Sequence, residues 1–378
     1  MNNFQPATRL RGIEKSPIRQ LFDRAQPGDI NLGLGEPDLP TPDVIRREAA
    51  RVSLEEQNGY TTHAGLPSLR ERIASDYPHL AMNIDNVVVT AGSQEALYLA
   101  LMTIVDAGDE VLLPNPGFVA YPTIVKMAGG IPKFYRLPAE QNFAFAAEEF
   151  RRQLSPRTKA VVVISPSNPT GRSLSRDELQ QMAETLADSG VILLSDEIYR
   201  DIYFTSQRPA SPSEFYPKTV VLSGLSKALS MTGWRLGWLC GPVAIIRPSL
   251  VLHGYVTTCA ATISQKAALA SWTSEAVAAR QEIRRAFQKR SDYLNQLITN
   301  ELGLRAVVPD GAFYTMVETS KFGTSMQVAE KLLAGGVITV PGSAFGSEAE
   351  GWLRVSCCAD EATLSAGIKR IKAALMQL

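Results

Sequence analysis

From residue 86 the chain alternates short apolar runs with stretches whose apolar residues recur at helical spacing. NVVVTAG predicts a strand that runs into a helix over SQEALYLALMTIVDAG. DEVLLP predicts the next strand and FVAYPTIVKMAG the next helix; IPKFYRL, AAEEFRRQL and KAVVVIS continue as strand, helix and strand. SRDELQQMAETLADSG carries boundary signals of its own: Ser175 as N-cap, Glu178 for a capping box and Gly190 at the end. VILLSDE, TVVLSGLS and RLGWLCG then read as further strands. These strands are near-continuous apolar runs, as expected when helices cover both faces of a sheet. The pattern predicts an α/β fold, a three-layer sandwich around a mainly parallel central sheet.

A long charged helical pattern at 275–302 interrupts the alternation. Beyond it, LRAVV, GAFYTMVE, a helix near 325–334, VITVP, WLRVSCC and a final helix predict a smaller α+β domain. The expected division is an N-terminal segment (1–45) packing with the small domain, a large α/β domain (46–280) and a small C-terminal domain (281–378).

Composition narrows the partners. The chain has 378 residues, with 38 basic and 38 acidic side chains. A net charge near zero and the lack of a basic stripe give no reason to expect nucleic acid or an anionic membrane surface. No run is apolar enough to predict a membrane span, and MNNFQPATRLRGIEKS lacks the apolar core of a secretory signal. Cys240, Cys259, Cys357 and Cys358 show no metal-ligand spacing, and the only histidines, His63, His79 and His253, are far apart. A reducing, cytoplasmic compartment and no bound metal are the expectations.

Four strand ends carry candidate chemistry. In 222-LSGLSKALSMTGWRLGW-238 the only charges are Lys227 and Arg235. A Lys in an apolar pocket has its pKa lowered, and the neutral amine can form a Schiff base with a carbonyl. The bland alternative is a Lys that snorkels to solvent. In 90-TAGSQEAL-97 a strand ends in small residues and a helix begins at Ser93. Gly92 permits close approach, and the Ser93 and Gln94 amides can face an anion; simple capping is the alternative. In 165-SPSNPTG-171, Asn168 precedes a proline and is barred from helical geometry. A cis Pro169 would aim the Asn inward, whereas an ordinary turn has the same composition. In 191-VILLSDEIYR-200, Asp196 closes an apolar strand where open α/β sheets bind ligands, and Tyr199 follows. Such an acid wants a cationic partner, unless it merely caps the turn. A phosphate cradle, an amide, a carboxylate and an amine together suit pyridoxal 5'-phosphate.

The sequence resembles the class I/II aminotransferases, pyridoxal-phosphate enzymes of fold type I that are aspartate aminotransferase-like. The likeness rests on GEPDLPTP, YTTHAGLPSLR, TAGSQEAL, SPSNPTG, SDEIY, SGLSKALSMTGWRLG, GAFY, VPGSAFG and WLRVS, in order along nearly the whole chain. It implies that Lys227 carries the cofactor as an internal aldimine and shuttles the proton at the substrate Cα. It implies that Asp196 keeps the pyridine nitrogen protonated, while Tyr199 and Asn168 hydrogen-bond the phenolic oxygen. Gly92, Ser93, Gln94, Ser226 and Arg235 would surround the phosphate, and Phe118 would stack on the ring. Tyr60 would reach the phosphate of a neighbouring subunit, which implies a homodimer with shared active sites. Arg354 would bind the substrate α-carboxylate in bidentate fashion beside Gly35, and Asn168 would also lie near substrate. Many relatives carry a hydroxyl residue three positions before the lysine; this chain has Gly224 there and Ser223 one earlier. Ser223 as a phosphate ligand is therefore open.

The implied activity is ping-pong transfer of an amino group between an L-amino acid and a 2-oxo acid. The nearest alternative is carbon–sulfur β-elimination on the same fold. A DNA-binding regulator lacks support from the charge, GLGEPD lacks the third glycine of a nicotinamide fingerprint, and GLSKA is not a nucleophile elbow. For the substrate side chain, Arg19 or Arg11 could meet an acid, whereas Leu34 and Tyr121 would suit neutral or aromatic groups.

Overall fold

Valine, isoleucine and leucine fill the central strands of the computed structural model, which describes residues 5, 7–80 and 82–377. In chain order these strands are β1 (Val87–Thr90), β2 (Glu110–Asn115), β3 (Ile131–Arg136), β4 (Thr158–Ile164), β5 (Ile192–Asp196), β6 (Thr219–Gly224) and β7 (Gly237–Cys240). They form one sheet in the order β1-β7-β6-β5-β4-β2-β3. Only β7 runs against its neighbours; the other pairings are parallel. The mainly parallel three-layer α/β fold expected from the pattern is the observed one.

Alternate residues of each strand feed cores on opposite faces. Val88, Leu113, Val162, Leu194 and Leu222 belong to one cluster with the helix Ser93–Ile104. On the other face Val87, Val89 and Val221 join one cluster, while Leu112, Val161, Val163 and Leu193 join another. This double burial is why the strands read as unbroken apolar runs. The edge strand β3 differs: Ile131 and Phe134 are partly exposed there.

Strand register places the chemistry. Ile164 on β4 pairs with Asp196 on β5, and Asp196 with Leu222 on β6. Gly224 on β6 and Thr90 on β1 both pair with Gly237 on β7. The ends of β1, β4, β5 and β6 therefore lie in one row, and the segments that follow them share one crevice.

The C-terminal part contains a second, antiparallel sheet of β8 (Tyr314–Glu318), β9 (Val340–Pro341) and β10 (Trp352–Ser356), ordered β9-β10-β8. VITVP is not one strand. Val337–Ile338 pairs in parallel with Ile30–Asn31, and the chain crosses at Thr339 into β9. LRAVV contributes a single bridge, Ala306 with Val317. The helix Ser274–Leu297 joins the two parts and ends in a π turn at Ile298–Leu302. The capping box of Ser175 and Glu178 forms as expected. Its helix stops at Leu186, and Gly190, at φ +73°, closes the following turn instead.

The N-terminal segment is sewn to the C-terminal part. Leu32 N–H donates to Ile338 O at 2.9 Å, and Ser356 N–H donates to Leu32 O at 2.7 Å. The fully buried Leu32 side chain lies against Gly367 in the last helix, Glu361–Leu375. A methyl group on Gly367 would come within 2.6 Å of Leu32 Cδ1. Gly367→Ala should therefore cost about 1–3 kcal/mol and Leu32→Ala about 2–5 kcal/mol. The double variant should cost less than the sum of the two, because the void admits the methyl group. Urea unfolding of the four proteins checks this.

Candidate active site

The end of β1 builds an anion cradle. Gly92 has φ +92°, and a Cβ there would lie 2.5 Å from Arg235 Nη2. The helix Ser93–Ile104 begins directly after it, with its first amides free of helical partners. Arg235 is held over this helix start by donating to Ala91 O at 3.2 Å and Thr232 O at 2.9 Å. A Cβ on Gly237 would approach Ser93 N to 2.5 Å, so the two glycines let backbone and guanidinium converge. Ser226, buried just beyond β6, borders the same space.

Asp196 closes β5 and is buried, with no cation in contact among the described residues. Its Oδ2 accepts from Tyr121 Oη at 2.9 Å and its Oδ1 from Ile198 N–H at 3.2 Å. Burial pushes the carboxyl pKa up to about 6, against the lowering effect of those donors and of Lys227. Lys227 donates from Nζ to Gly35 O at 2.7 Å, and its Nζ lies 5.9 Å from the centre of the Phe313 ring. Burial holds the amine below the ordinary lysine range, helped by the nearby Arg354 and Arg235 and opposed by Cys358 and Glu36.

The third wall is made by Arg354 of β10. Its guanidinium donates from Nη1 to Asn168 Oδ1 at 2.8 Å and from Nη2 to Gly33 O at 2.6 Å. Its carbon centre lies 4.2 Å from the centre of the Tyr314 ring and 4.8 Å from that of Phe345. Nε is buried and has no hydrogen-bond partner among the described residues. The Asn168–Pro169 bond is cis, and Asn168 is buried at the site. Tyr199 Oη and Tyr314 Oη are 2.9 Å apart. Burial raises both phenol pKa values, that of Tyr314 to about 12.

These groups share a cavity of about 610 Å³. Gly35, Ser93, Gln94, Phe118, Asn168, Asp196, Tyr199, Ser226, Lys227, Arg235 and Arg354 all line it. Gly92 sits behind Arg235, and Tyr60 does not line the cavity but is 87% exposed. Ser223 points away and donates to Glu197 O at 3.2 Å. Arg19 and Leu34 border the cavity mouth, whereas Arg11 is bonded to Gln5 outside it. Tyr121 corrects an expectation: fully buried, it serves the Asp196 carboxylate and does not line the cavity. Its signal was its place one helical turn beyond Phe118, where the two rings meet edge to face at 5.5 Å. Sequence reading also gave no role to Tyr314, although it closes the quoted GAFY, nor to Ser16, Ile18 and Phe22 at the mouth. Among the described residues no helix is long and apolar enough to cross a membrane.

The sequence profile described as "Aminotransferase class I and II" matches residues 27–371. The chain belongs to the class I and II aminotransferases. A probable aspartate aminotransferase of Methanocaldococcus jannaschii is 36% identical over 93% of this chain and 94% of its own. A putative aminotransferase of Bacillus subtilis is 38% identical, covering 96% of each chain. The solved structure of Thermus thermophilus aspartate aminotransferase with maleate superposes with a TM-score of 0.94 at 33% identity, over 98% of this chain and 100% of that one. The transferase names of these aminotransferase relatives do not favour β-elimination, the alternative expectation.

The raised pKa of Asp196 in this aminotransferase gives a pH test. The folded carboxyl binds its proton more tightly than the unfolded chain does. Its contribution to stability is therefore full below about pH 4 and is lost as pH rises through about 6. In the ligand-free protein, Asp196→Asn should gain stability relative to the parent as pH rises from 4 to 8, by up to about 3 kcal/mol. Thermal melts across that range check it; a gap independent of pH contradicts it.

Proposed function

We propose that the protein uses pyridoxal 5'-phosphate to move an amino group between an L-amino acid and a 2-oxo acid in a ping-pong cycle, with Lys227 as the amine that carries the cofactor. The observation that carries this reading is one cavity bordered by an anion cradle, a buried carboxylate lacking a cation, a buried amine of lowered pKa and the buried Arg354 with its unpartnered Nε. The donor set fits the group part by part. Ser93 and Gln94 amides, Ser226 and Arg235 would hold the phosphate, Asp196 the ring nitrogen, Tyr199 and Asn168 the phenolic oxygen, and Phe118 the ring face.

Bound pyridoxal phosphate supplies an aldehyde carbon for condensation with amines and an electron-withdrawing ring that accepts the pair left by Cα–H cleavage. The residues do the rest. Asp196 stays ionised when a cation lies opposite it, so it holds a proton on the ring nitrogen. Tyr199 and the Asn168 amide donate to the phenolic oxygen. Arg354 would clamp the α-carboxylate beside Gly35 and so hold the Cα–H bond within reach of Lys227. Lys227 would take the Cα proton and return it two bonds away, at the former aldehyde carbon, a task suited to an amine whose pKa burial has lowered.

The reading includes a cytoplasmic homodimer. Gly254 lies against His63, and Tyr60, Val251 and Tyr255 are all exposed. A second copy would receive the exposed Tyr60 at its phosphate. It also includes the division into segment 1–45, large domain 46–280 and small domain 281–378.

Lys227→Ala should lose the visible absorbance band and the borohydride-trapped adduct, and its turnover should fall by at least about a hundredfold. A yellow, active variant sinks the assignment. Arg354→Lys keeps the charge but not the fork, and should lower kcat/KM for the amino acid by about tenfold or more, chiefly through KM. Steady-state kinetics read this directly.

A further inference from the structure

Three separate contacts converge on one tyrosine that has no role in the proposed cycle, two of them at its hydroxyl and one at its ring. Tyr314 is the first residue of β8, is buried and borders the cavity. Its Oη lies 2.9 Å from Tyr199 Oη, the one hydrogen bond that either phenol makes among the described residues. Its ring packs on the Arg354 guanidinium at 4.2 Å. At Gly35, a Cβ would stand 1.9 Å from the same Oη. Gly35 does not adopt a positive φ, so its backbone conformation does not require glycine. What requires glycine is the space occupied by the Tyr314 hydroxyl.

We propose that Tyr314 is a positioning residue whose hydroxyl donates to Tyr199 and thereby turns the Tyr199 proton towards the ligand's phenolic oxygen. A phenol has one proton to give and lone pairs to receive. If Tyr199 donates into the cavity, its bond to Tyr314 must be one it accepts. Burial holds both phenols protonated through the neutral and mildly alkaline range, so each keeps its proton for this relay of orientation. Chained donors polarise one another, so the bond Tyr199 makes to the ligand is stronger for having Tyr314 behind it. Hydrogen bonds donated to the phenolic oxygen stabilise its anion, and the neighbouring proton then leaves at lower pH. The inference rests on the proposed pyridoxal-phosphate function.

The test separates the hydroxyl from the ring. Tyr314→Phe keeps the ring against Arg354 and removes only the donor, while Tyr314→Leu removes both. In the loaded protein, the pH midpoint of the visible absorbance change should rise in Tyr314→Phe by about half a unit to one unit. The KM for the amino acid should stay within about twofold of the parent, because the packing against Arg354 is untouched. Tyr314→Leu should show the same midpoint shift and a raised KM. Gly35→Ala, which displaces the hydroxyl without altering Tyr314, should move the midpoint in the same direction. A midpoint unmoved in Tyr314→Phe, while Tyr199→Phe moves it, overturns the inference alone. A KM raised in Tyr314→Phe as much as in Tyr314→Leu also overturns it, because the residue would then act through Arg354. A parent protein with no visible band overturns the functional reading and this inference with it.

Discussion

The register of the central sheet is the constraint on which the site depends. Parallel pairing aligns Ile164, Asp196 and Leu222, and the antiparallel β7 sets Thr90 and Gly224 on either side of Gly237. A shift of one residue would exchange the side chains packed on the two faces and misfit both cores, so close packing on both sides holds the register. The same register delivers an amide, a carboxylate, an amine and a helix start to one crevice. Packing the core and assembling the site are thus one act of folding.

The charges in that crevice are costly in the ligand-free protein. Asp196 is buried with a phenol and a backbone N–H as its hydrogen-bond donors, and Arg354 with an amide oxygen and a carbonyl. Neither arrangement neutralises the charge it surrounds, and burial moves the pKa of each group toward its uncharged form. Lys227 is in the same position, with Gly35 O as its acceptor. Groups held this way gain most when a ligand of opposite charge arrives, so the site is preorganised for binding at some expense to stability.

Close approach is the second theme. Gly92 and Gly237 admit Arg235 and the helix start to one another, and Gly35 admits the Tyr314 hydroxyl. These glycines sit at points where atoms from distant segments meet, and at Gly35 the neighbour lies far along the chain. The N-terminal strap is similarly tied down, by Lys227 to Gly35 O, by Arg354 to Gly33 O and by Ser356 to Leu32 O.

Local pattern was enough to read much of this protein. The apolar runs, the capping box at Ser175 and the small residues before Ser93 identified the parallel sheet, because side-chain periodicity and helix-start chemistry are local properties. The strand ends pointed to Lys227, Asp196, Asn168 and Ser93 for the same reason: an isolated charge or amide after an apolar run is visible in one dimension. Other features were decided only when distant segments met. The division of VITVP between two sheets depends on Ile30 and Arg354 as partners, and the pattern of five residues contains neither. Tyr121 looked like a wall for a substrate side chain, but its hydroxyl meets Asp196 at the end of β5, a partner 75 residues further along the chain. Tyr314 gained meaning from its distance to Tyr199, Gly35 and Arg354, contacts that span most of the chain. Sequence by itself determined the elements of the central sheet and which strand ends carry the candidate groups; tertiary structure decided how the short C-terminal strands divide and which side chains face one another, because that depends on contacts between residues far apart along the chain.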